Sequence, residues 1–193
     1  NNIIVSSGQI TEFNPSLWAQ LGADIDGETA GDESGFSVSL SSDGRTVAIG
    51  AYLNDGTVNG INSGHVRIYQ LNASKDAWEK KGGDIDGEAP GDNSGYSVSL
   101  SSGGLTVAIG AYYNGGNGIN SGHVRIFRYS GNSWTQLGED IDGEATEDQS
   151  GWSVSLSSDG STVAIGAQLN DGSGDSSGHV RIYTLSSAAK FTP

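Results

Sequence analysis

The stretch SGFSVSLSS at residues 34–42 returns as SGYSVSLSS at 94–102 and as SGWSVSLSS at 150–158. Successive copies therefore begin 60 residues apart (34 to 94) and then 56 residues apart (94 to 150). Within the first copy, Val38 and Leu40 alternate with serines, which is the period of a β-strand with one apolar face. Strand-like segments that return at this distance indicate tandem β-units.

Three further blocks recur in step with the first one. No stretch between them has a convincing helical period, and every block has the pattern of a strand or a turn. We therefore predict that each repeat is a four-stranded antiparallel meander. The blocks are TVAIGA at 46–51, 106–111 and 162–167, GHVRI plus an aromatic residue at 64–69, 122–127 and 178–183, DIDGE at 24–28, 84–88 and 140–144, and Trp18, Trp78 and Trp134 before each DIDGE.

Four-stranded units in tandem are typical of a β-propeller, so the predicted fold class is all-β with about three propeller-like blades and incomplete terminal blades. A β-solenoid is the alternative. The chain is expected to be one repeat domain, 1–193. Its parts are the terminal strands of an incomplete blade at 1–22, repeats at 23–82 and 83–138, and a third repeat at 139–193 that lacks its last strand. Because closed propellers need about four to eight blades, we expect copies of the chain, or further repeats of a longer one, to supply the rest.

The composition limits the choice of partner. The 193 residues carry 9 basic and 23 acidic side chains, a net charge of −14. Such a chain repels phosphate backbones and anionic lipids, so we expect no nucleic acid and no membrane insertion. It has no cysteine, which excludes disulfides and thiolate metal sites. It also has no methionine, and we interpret it as a processed secreted chain or a fragment.

The order of these blocks resembles FG-GAP repeats, the blades of integrin α-chain head domains and of many secreted microbial and algal proteins. The resemblance rests on residues 35–38, 47–51 and 64–69 and their two later copies. It implies an extracellular β-propeller used in adhesion or ligand binding, often with calcium. The calcium loop of that family lies between the first two strands. Here that loop is only residues 41–45, too short and too poor in carboxylates for such a site.

Each repeat carries an acidic motif with the pattern D-x-D-x-E-x-x-x-D. Calcium prefers six to eight oxygen ligands, and alternate residues of a tight loop can converge on one ion. We therefore predict Ca²⁺ at these motifs, with turn formation and capping of backbone N–H groups as the alternative. The residues are Asp24, Asp26, Glu28 and Asp32, then Asp84, Asp86, Glu88 and Asp92, then Asp140, Asp142, Glu144 and Asp148.

Three other residue types recur once in each repeat. The histidines His65, His123 and His179 could together hold Zn²⁺ around an axis, or could be partly buried strand residues bonded to a neighbouring blade. The arginines two residues further on, such as Arg67, are expected to face outward and pair with acidic loops. The tryptophans could stack on sugar rings or cover the outer strand of each blade.

Loops of variable length are the predicted ligand-binding positions, because variable loops on a rigid scaffold carry specificity. The candidates are Asn54, Asp55, Asn114, Asn170 and Asp171. Asn72 begins a glycosylation sequon if the host is a secreting eukaryote. Each candidate group recurs in near-identical surroundings, which suits multivalent binding better than catalysis. The predicted function is an extracellular, non-enzymatic adhesion, matrix or filament protein, and the alternative is a carbohydrate-binding lectin.

Overall fold

The computed structural model describes residues 18–56 and 59–186, and these contain thirteen strands and no helix. Among them, therefore, no helix is long and apolar enough to cross a membrane. The strands form three antiparallel sheets, which we call blades 1, 2 and 3. Blade 1 contains β1 (Ser37–Leu40), β2 (Thr46–Ala51), β3 (His65–Leu71), β4 (Trp78–Lys80) and β5 (Ile85–Asp86). Blade 2 contains β6 (Ser97–Leu100), β7 (Thr106–Ala111), β8 (His123–Ser130), β9 (Ser133–Gln136) and β10 (Ile141–Asp142), and blade 3 contains β11 (Ser150–Leu156), β12 (Thr162–Ala167) and β13 (His179–Thr184).

The predicted all-β fold of about three blades is confirmed, with one difference at the outer edge of each complete blade. There, two short strands replace the single fourth strand. In blade 1, β4 pairs with the end of β3 (Leu71 with Trp78), and β5 pairs with its beginning (His65 with Asp86). The DIDGE block is therefore partly a strand and not only a turn. The terminal strands predicted within residues 1–17, and any strand within 187–193, lie outside the described residues.

The apolar core consists of two layers, each lying between neighbouring blades. In the first layer, Val66 and Ile68 of β3 pack with Leu100 and Ile109 of blade 2. In the second layer, side chains of blade 2 such as Val124 pack in the same way against blade 3. No blade has a core of its own, so each one depends on its neighbours for burial.

The serines of the first strand also join the blades. The sequence pattern predicted one apolar face for this strand, with the serines opposite it. In the structure that opposite face meets the next blade. The hydroxyl of Ser39 accepts a 2.9 Å hydrogen bond from the backbone N–H of Leu100, and Ser99 accepts one from Leu156. The hydroxyl of Ser37 donates to the carbonyl oxygen of Gly95 at 2.7 Å. In blade 2, where Leu100 is buried against blade 1, both faces of this strand are therefore used in packing.

Glycine is required in the second strand because the blades approach closely there. A β-carbon added at Gly110 would collide with the backbone carbonyl oxygen of Gly151 in the next blade. Gly50 faces Gly95 in the same way. Gly166 is the corresponding residue of blade 3, and the atoms nearest to a β-carbon there belong to Ser153 of the same blade.

The two ends of the blade stack leave apolar side chains exposed. On blade 1, Val38 is 64% and Leu40 57% exposed, whereas the equivalent Leu100 of blade 2 is buried. On blade 3, Val180 is 65% and Ile182 71% exposed, whereas the equivalent Val66 and Ile68 of blade 1 are buried. At an internal junction, a neighbouring blade covers the surface that corresponds to each of these two apolar surfaces.

Candidate functional site

The carboxylates of one acidic motif do not converge on one point; they lie in different surroundings. In the motif that begins at Asp84, the carboxylate of Asp84 faces His65 of blade 1, and Glu88 faces His123 of blade 2. Asp86 is exposed, and its backbone carbonyl accepts a hydrogen bond from Arg125. Asp92 is buried in a turn. The four carboxylates of one motif are therefore not placed to bind one calcium ion together. Calcium binding stays a prediction.

The last aspartate of each motif braces a loop. One oxygen of Asp92 accepts hydrogen bonds from the backbone N–H of Ala89 at 2.9 Å and from the side-chain amide of Asn114 at 3.0 Å. Asp32 and Asp148 form the same two bonds with the equivalent residues. The capping role that the sequence suggested as the alternative therefore describes these three aspartates.

Within residues 18–56 and 59–186, two groups of side chains could hold a metal ion, and each takes its carboxylates from two successive motifs. Glu28, His65 and Asp84 form the first group, which we call cluster 1. Glu88, His123 and Asp140 form cluster 2. In each cluster the candidate ligand atoms lie within 4.8 Å of one another. Among the described residues each such group contains one histidine, so the histidines do not gather in a ring around a shared metal.

The geometry of cluster 2 is the better defined of the two. His123 Nδ1 lies 3.7 Å from a carboxylate oxygen of Asp140 and 3.9 Å from one of Glu88. The imidazole is 1% exposed, and its Nε2 has no hydrogen-bond partner in the described part of the chain. Burial lowers the pKa of His123, so the ring is neutral at neutral pH. A neutral imidazole can offer a lone pair to a cation.

The two carboxylates of cluster 2 oppose each other. Burial raises the pKa of Glu88, and the neighbouring Asp140 raises it further, while Arg125 acts in the opposite direction. Arg125 lies 3.5 Å from the other oxygen of Glu88. The arginine thus holds one edge of the Glu88 carboxylate and leaves the other edge directed at His123.

Clusters 1 and 2 differ in one charged neighbour. In cluster 1 the ammonium of Lys80 lies 2.6 Å from Asp84 and 4.0 Å from Glu28. In cluster 2 the equivalent residue is Gln136, whose amide donates a 2.7 Å hydrogen bond to Asp140. Both clusters have an arginine beside their glutamate, and cluster 1 has in addition a lysine ammonium beside its aspartate.

A third group is present in part. His179 Nδ1 lies 3.5 Å from a carboxylate oxygen of Glu144, as in the other two clusters. The aspartate that would complete it, in the position of Asp84 and Asp140, has no counterpart among residues 141–186. Asp24 holds that position in the acidic motif before blade 1, and Gln20 donates to it as Gln136 does to Asp140.

Arg67 and Arg125 are buried and the side chain of Arg181 is 19% exposed, so the expectation that these arginines face outward is wrong. Arg67 and Arg125 are almost fully covered, because each reaches back to the connector that enters its blade. Arg67 donates a 2.8 Å hydrogen bond to the carbonyl of Asp26 and pairs with Glu28 at 3.4 Å. The expected pairing with acidic residues is present, and the structure places it between blades.

The asparagines predicted as ligand-binding residues brace their own loops. Asn114 and Asn170 are buried. The amide of each donates to the last aspartate of a motif, and its oxygen accepts a backbone N–H two residues on, as it does in Asn54. Asp55 and Asp171 accept backbone N–H groups across their loops. Ligand binding at these positions stays a prediction.

The remaining candidates lie on the outer edge. The indole of Trp134 donates to Lys81 beside the outer strand β4 of blade 1, and that of Trp78 donates to Leu21 in the segment before blade 1. Trp18 is 89% exposed. Asn72 lies in the turn between β3 and β4 and donates to Asp76 at 2.7 Å. Its glycosylation stays a prediction.

Two five-stranded sheets and one three-stranded sheet, all antiparallel, pack face to face and are joined by repeated inter-blade contacts. This arrangement defines a protein built of β-propeller-like blades. Residues 21–69, 85–127 and 141–183 each match the family model described as FG-GAP repeat. The chain belongs to the FG-GAP repeat family, as its motif order predicted. No curated protein matches it.

Solved structures with a similar arrangement have little sequence in common with the chain. A "putative 6-phosphogluconolactonase" from Bacteroides uniformis aligns with 78% of this chain at 13% identity and a TM-score of 0.52. A periplasmic gluconolactonase from Pseudomonas aeruginosa aligns with 77% at 16% identity and a TM-score of 0.49. The chain spans 37% and 38% of the lengths of those two proteins. At 13% identity, the likeness to the first of these proteins concerns the fold alone.

Proposed function

We propose that this chain is a non-catalytic structural or interaction protein of the extracellular space that works by joining its blades to further blades. The observation that carries the proposal is the pair of apolar end faces, on blade 1 and on blade 3. Soluble proteins seldom leave such surfaces uncovered unless they are binding sites. A second copy of the chain is the occupant that fits both faces.

The two end faces carry the same residues that meet at the internal junctions. At those junctions, Ser37 and Ser97 donate to the carbonyls of Gly95 and Gly151 of the next blade. Ser153 is their equivalent on blade 3, and Gly35 of a second copy is the equivalent acceptor. The exposed Val180 and Ile182 would cover Val38 and Leu40 of that copy, as Val66 and Ile68 cover the equivalent residues of blade 2.

The outer edge of blade 3 offers a second point of attachment. A groove there is lined by Ile126, Leu137, Gly138, Val163 and Tyr183. At the preceding junction Trp134 occupies the corresponding place, beside Gly82 and bonded to Lys81. Trp18 has the same position in its repeat and is exposed. Trp18 of a second copy would fill the groove, and Asp24 of that copy would complete the partial cluster at Glu144 and His179.

Two copies joined through both faces would present six blades, within the range of about four to eight found in closed propellers. The ring would be non-catalytic because its candidate groups recur in near-identical surroundings, which does not separate an acid from a base. The fold likeness to lactonases at 13% identity does not bring an activity to this chain. An extracellular location is supported by membership of the FG-GAP repeat family. The absence of cysteine does not oppose such a location.

A lectin is the second candidate, and a row of aromatic rings favours it. The rings of Phe36, Tyr96 and Trp152 follow one another across the blades with centroids 4.8 and 4.7 Å apart. Phe36 is half-exposed at the blade 1 end of this row. Aromatic faces of this kind can stack on sugar rings. Selective sugar binding on a glycan array would favour the lectin. An array on which the protein binds no sugar would favour the structural role.

The experiment for the structural role uses two variants of the blade 3 face. Gly166→Ala would place a methyl group against the carbonyl of Gly35 of a second copy, while Ile182→Lys would put a charge in the same interface. Light scattering should show an assembled wild type and two monomeric variants. The melting temperatures of dilute samples should lie close together, since Ile182 is exposed and the close contact at Gly166 is with the rotatable hydroxyl of Ser153. Assembly that both variants retain would contradict the proposed faces.

A further inference from the structure

We propose that Glu88, His123 and Asp140 form a binding site for a divalent transition metal, best suited to Zn²⁺, at the junction of blades 1 and 2. The site would fasten the connector that enters blade 2 to the third strand and the outer edge of that blade. All three ligands belong to one chain, so the inference does not depend on assembly with a second copy.

The spacing of the three side chains fits a tetrahedral ion. Zinc binds imidazole nitrogen at about 2.0–2.1 Å and carboxylate oxygen at about 2.0–2.2 Å, so two ligand atoms of a tetrahedral site lie about 3.3–3.6 Å apart. The two distances from His123 Nδ1, 3.7 and 3.9 Å, are a few tenths of an ångström longer. Small side-chain rotations of Glu88 and Asp140 would close this difference. Three protein ligands leave the fourth position to water.

A second observation separates this site from an ordinary group of surface acids. The imidazole of His123 is 1% exposed, yet Nδ1 faces two carboxylates beyond hydrogen-bond distance and Nε2 has no partner among the described residues. With its proton on Nε2, the neutral ring points the lone pair of Nδ1 at two carboxylates, which is unfavourable unless a cation lies between them. A metal ion on Nδ1 would use the lone pair and would also neutralise the two acids.

The ligand set selects the class of metal. Imidazole suits zinc and other transition metals, whereas calcium takes six to eight oxygen ligands. The site is also distinct from the calcium site predicted from a single acidic motif, because Glu88 and Asp140 come from successive motifs. Arg125 holds the outer oxygen of Glu88 and so orients the oxygen that would bind the metal.

Cluster 1 provides a natural comparison within the same molecule. It has the same three ligand types, Glu28, His65 and Asp84, but Lys80 contacts both acids. A fixed ammonium at this position competes with a metal ion by charge and by occupying the oxygens. We therefore assign the tighter site to cluster 2, where Gln136 replaces the lysine.

Titration of the complete chain with ZnCl₂ by calorimetry tests the assignment. In dilute, monomeric protein, where no second copy adds Asp24 to the partial cluster, the wild type should bind one equivalent tightly. Zn²⁺ should raise its melting temperature until EDTA is added. Gln136→Lys leaves every ligand in place and should weaken binding about 10–100-fold, the range for changes beside a metal ligand. Lys80→Gln should create a second tight site.

A variant of one of the three ligands tests whether the carboxylate of Asp140 binds the metal. Asp140→Asn changes a partly exposed side chain, so it should leave the fold intact and abolish the tight site. Wild-type affinity in Asp140→Asn, or equal affinity in Lys80→Gln and Gln136→Lys, would overturn the assignment. Calcium that competes with zinc at equal concentration would also overturn it, because it would identify an oxygen site without the imidazole.

Discussion

The indole Nε1 of Trp134 donates a 2.6 Å hydrogen bond to the backbone carbonyl of Lys81, and so ties the outer edge of blade 2 to that of blade 1. Trp78 makes the same bond to Leu21, at 2.8 Å. The bond therefore recurs at successive junctions. It explains why tryptophan returns at one position of the repeat, since a donor at the tip of a large apolar side chain can both cover the edge and bond to it.

The first prediction concerns this bond. Trp134→Phe keeps an aromatic ring but leaves the carbonyl of Lys81 without its donor, so the free energy of unfolding should fall by about 1–3 kcal/mol. Urea denaturation of dilute protein measures the change. Trp18→Phe is the matched control, because Trp18 is exposed and its replacement should change the stability by less than about 0.5 kcal/mol. Equal losses in the two variants would show that the hydrogen bond is not the cause.

The second prediction concerns the close packing of the blades. Gly110→Ala would push a methyl group into the carbonyl of Gly151, and overpacking of this kind costs about 1–3 kcal/mol. The melting temperature should fall clearly below that of the wild type. In dilute, monomeric protein, Gly166→Ala is the control at the equivalent position of blade 3, because its methyl group would meet the hydroxyl of Ser153, as that of Gly110→Ala meets Ser97, without the carbonyl of a next blade. A wild-type melting temperature for Gly110→Ala would mean that the blades can separate without cost.

The third prediction places a second copy on blade 3. In blade 1, Leu71 pairs with Trp78 across β3 and β4, and in blade 2 Tyr129 pairs with Trp134. The equivalent pair is Leu185 with Trp18 of a second copy. Because the chain has no cysteine, Leu185→Cys with Trp18→Cys should give a disulfide between two chains under oxidising conditions.

The control for this experiment is Leu71→Cys with Trp78→Cys, which should give a disulfide within one chain. Mass spectrometry of digested protein identifies both bonds. An intramolecular bond between positions 18 and 185, or no bond while the control forms one, would contradict this docking of the second copy.

The fourth prediction concerns pH and the turn between β11 and β12. Asp159 accepts hydrogen bonds from the hydroxyl of Ser157 and the backbone N–H of Ser161, and these lower its pKa to about 2. A carboxyl group whose pKa is depressed in the folded state stabilises that state above its ordinary pKa of 3.8. This stabilisation is lost as the pH falls towards 2. The melting temperature of Asp159→Asn should thus lie below that of the wild type at pH 6 and approach it near pH 2.

The corresponding turn of blade 2 has glycine in this position. Gly103 has room for a side chain, and its φ angle lies outside the left-handed region. Gly103→Asp should therefore raise the melting temperature at pH 6 by about 1–4 °C, since a compatible residue also lowers the entropy of the unfolded chain. A gain that persists unchanged at pH 2 would show that the carboxylate is not responsible.

The repeats predicted the fold well, because the same order of strand-like and turn-like blocks recurs three times at the spacing of a four-stranded unit. What they could not predict is which neighbour each side chain meets. Ser39 is polar within a strand, a pattern typical of a solvent face, but its hydroxyl bonds to the next blade. Arg67 is charged, yet the connector of the acidic motif buries it.

The candidate metal site shows the same limit. Asp84 and Glu88 lie close together in sequence, and this spacing predicted one shared ion. The chain passes between them from the edge of blade 1 into blade 2, so they face different histidines, His65 and His123. Only the recurrence of a histidine at each third strand signalled this arrangement. The exchange of Lys80 for Gln136 could have been noticed in the sequence, but its meaning depends on the three-dimensional contact.

The mass of the native particle tests the central claim most directly, namely that the three blades function by joining further blades. Sedimentation equilibrium of the 193-residue chain measures it without a standard. If two copies close into a ring of six blades, the wild-type particle should have twice the 19.8 kDa mass of one chain. The Gly166→Ala variant should have the mass of a single chain. A wild-type particle of 19.8 kDa at all concentrations tested would contradict the claim.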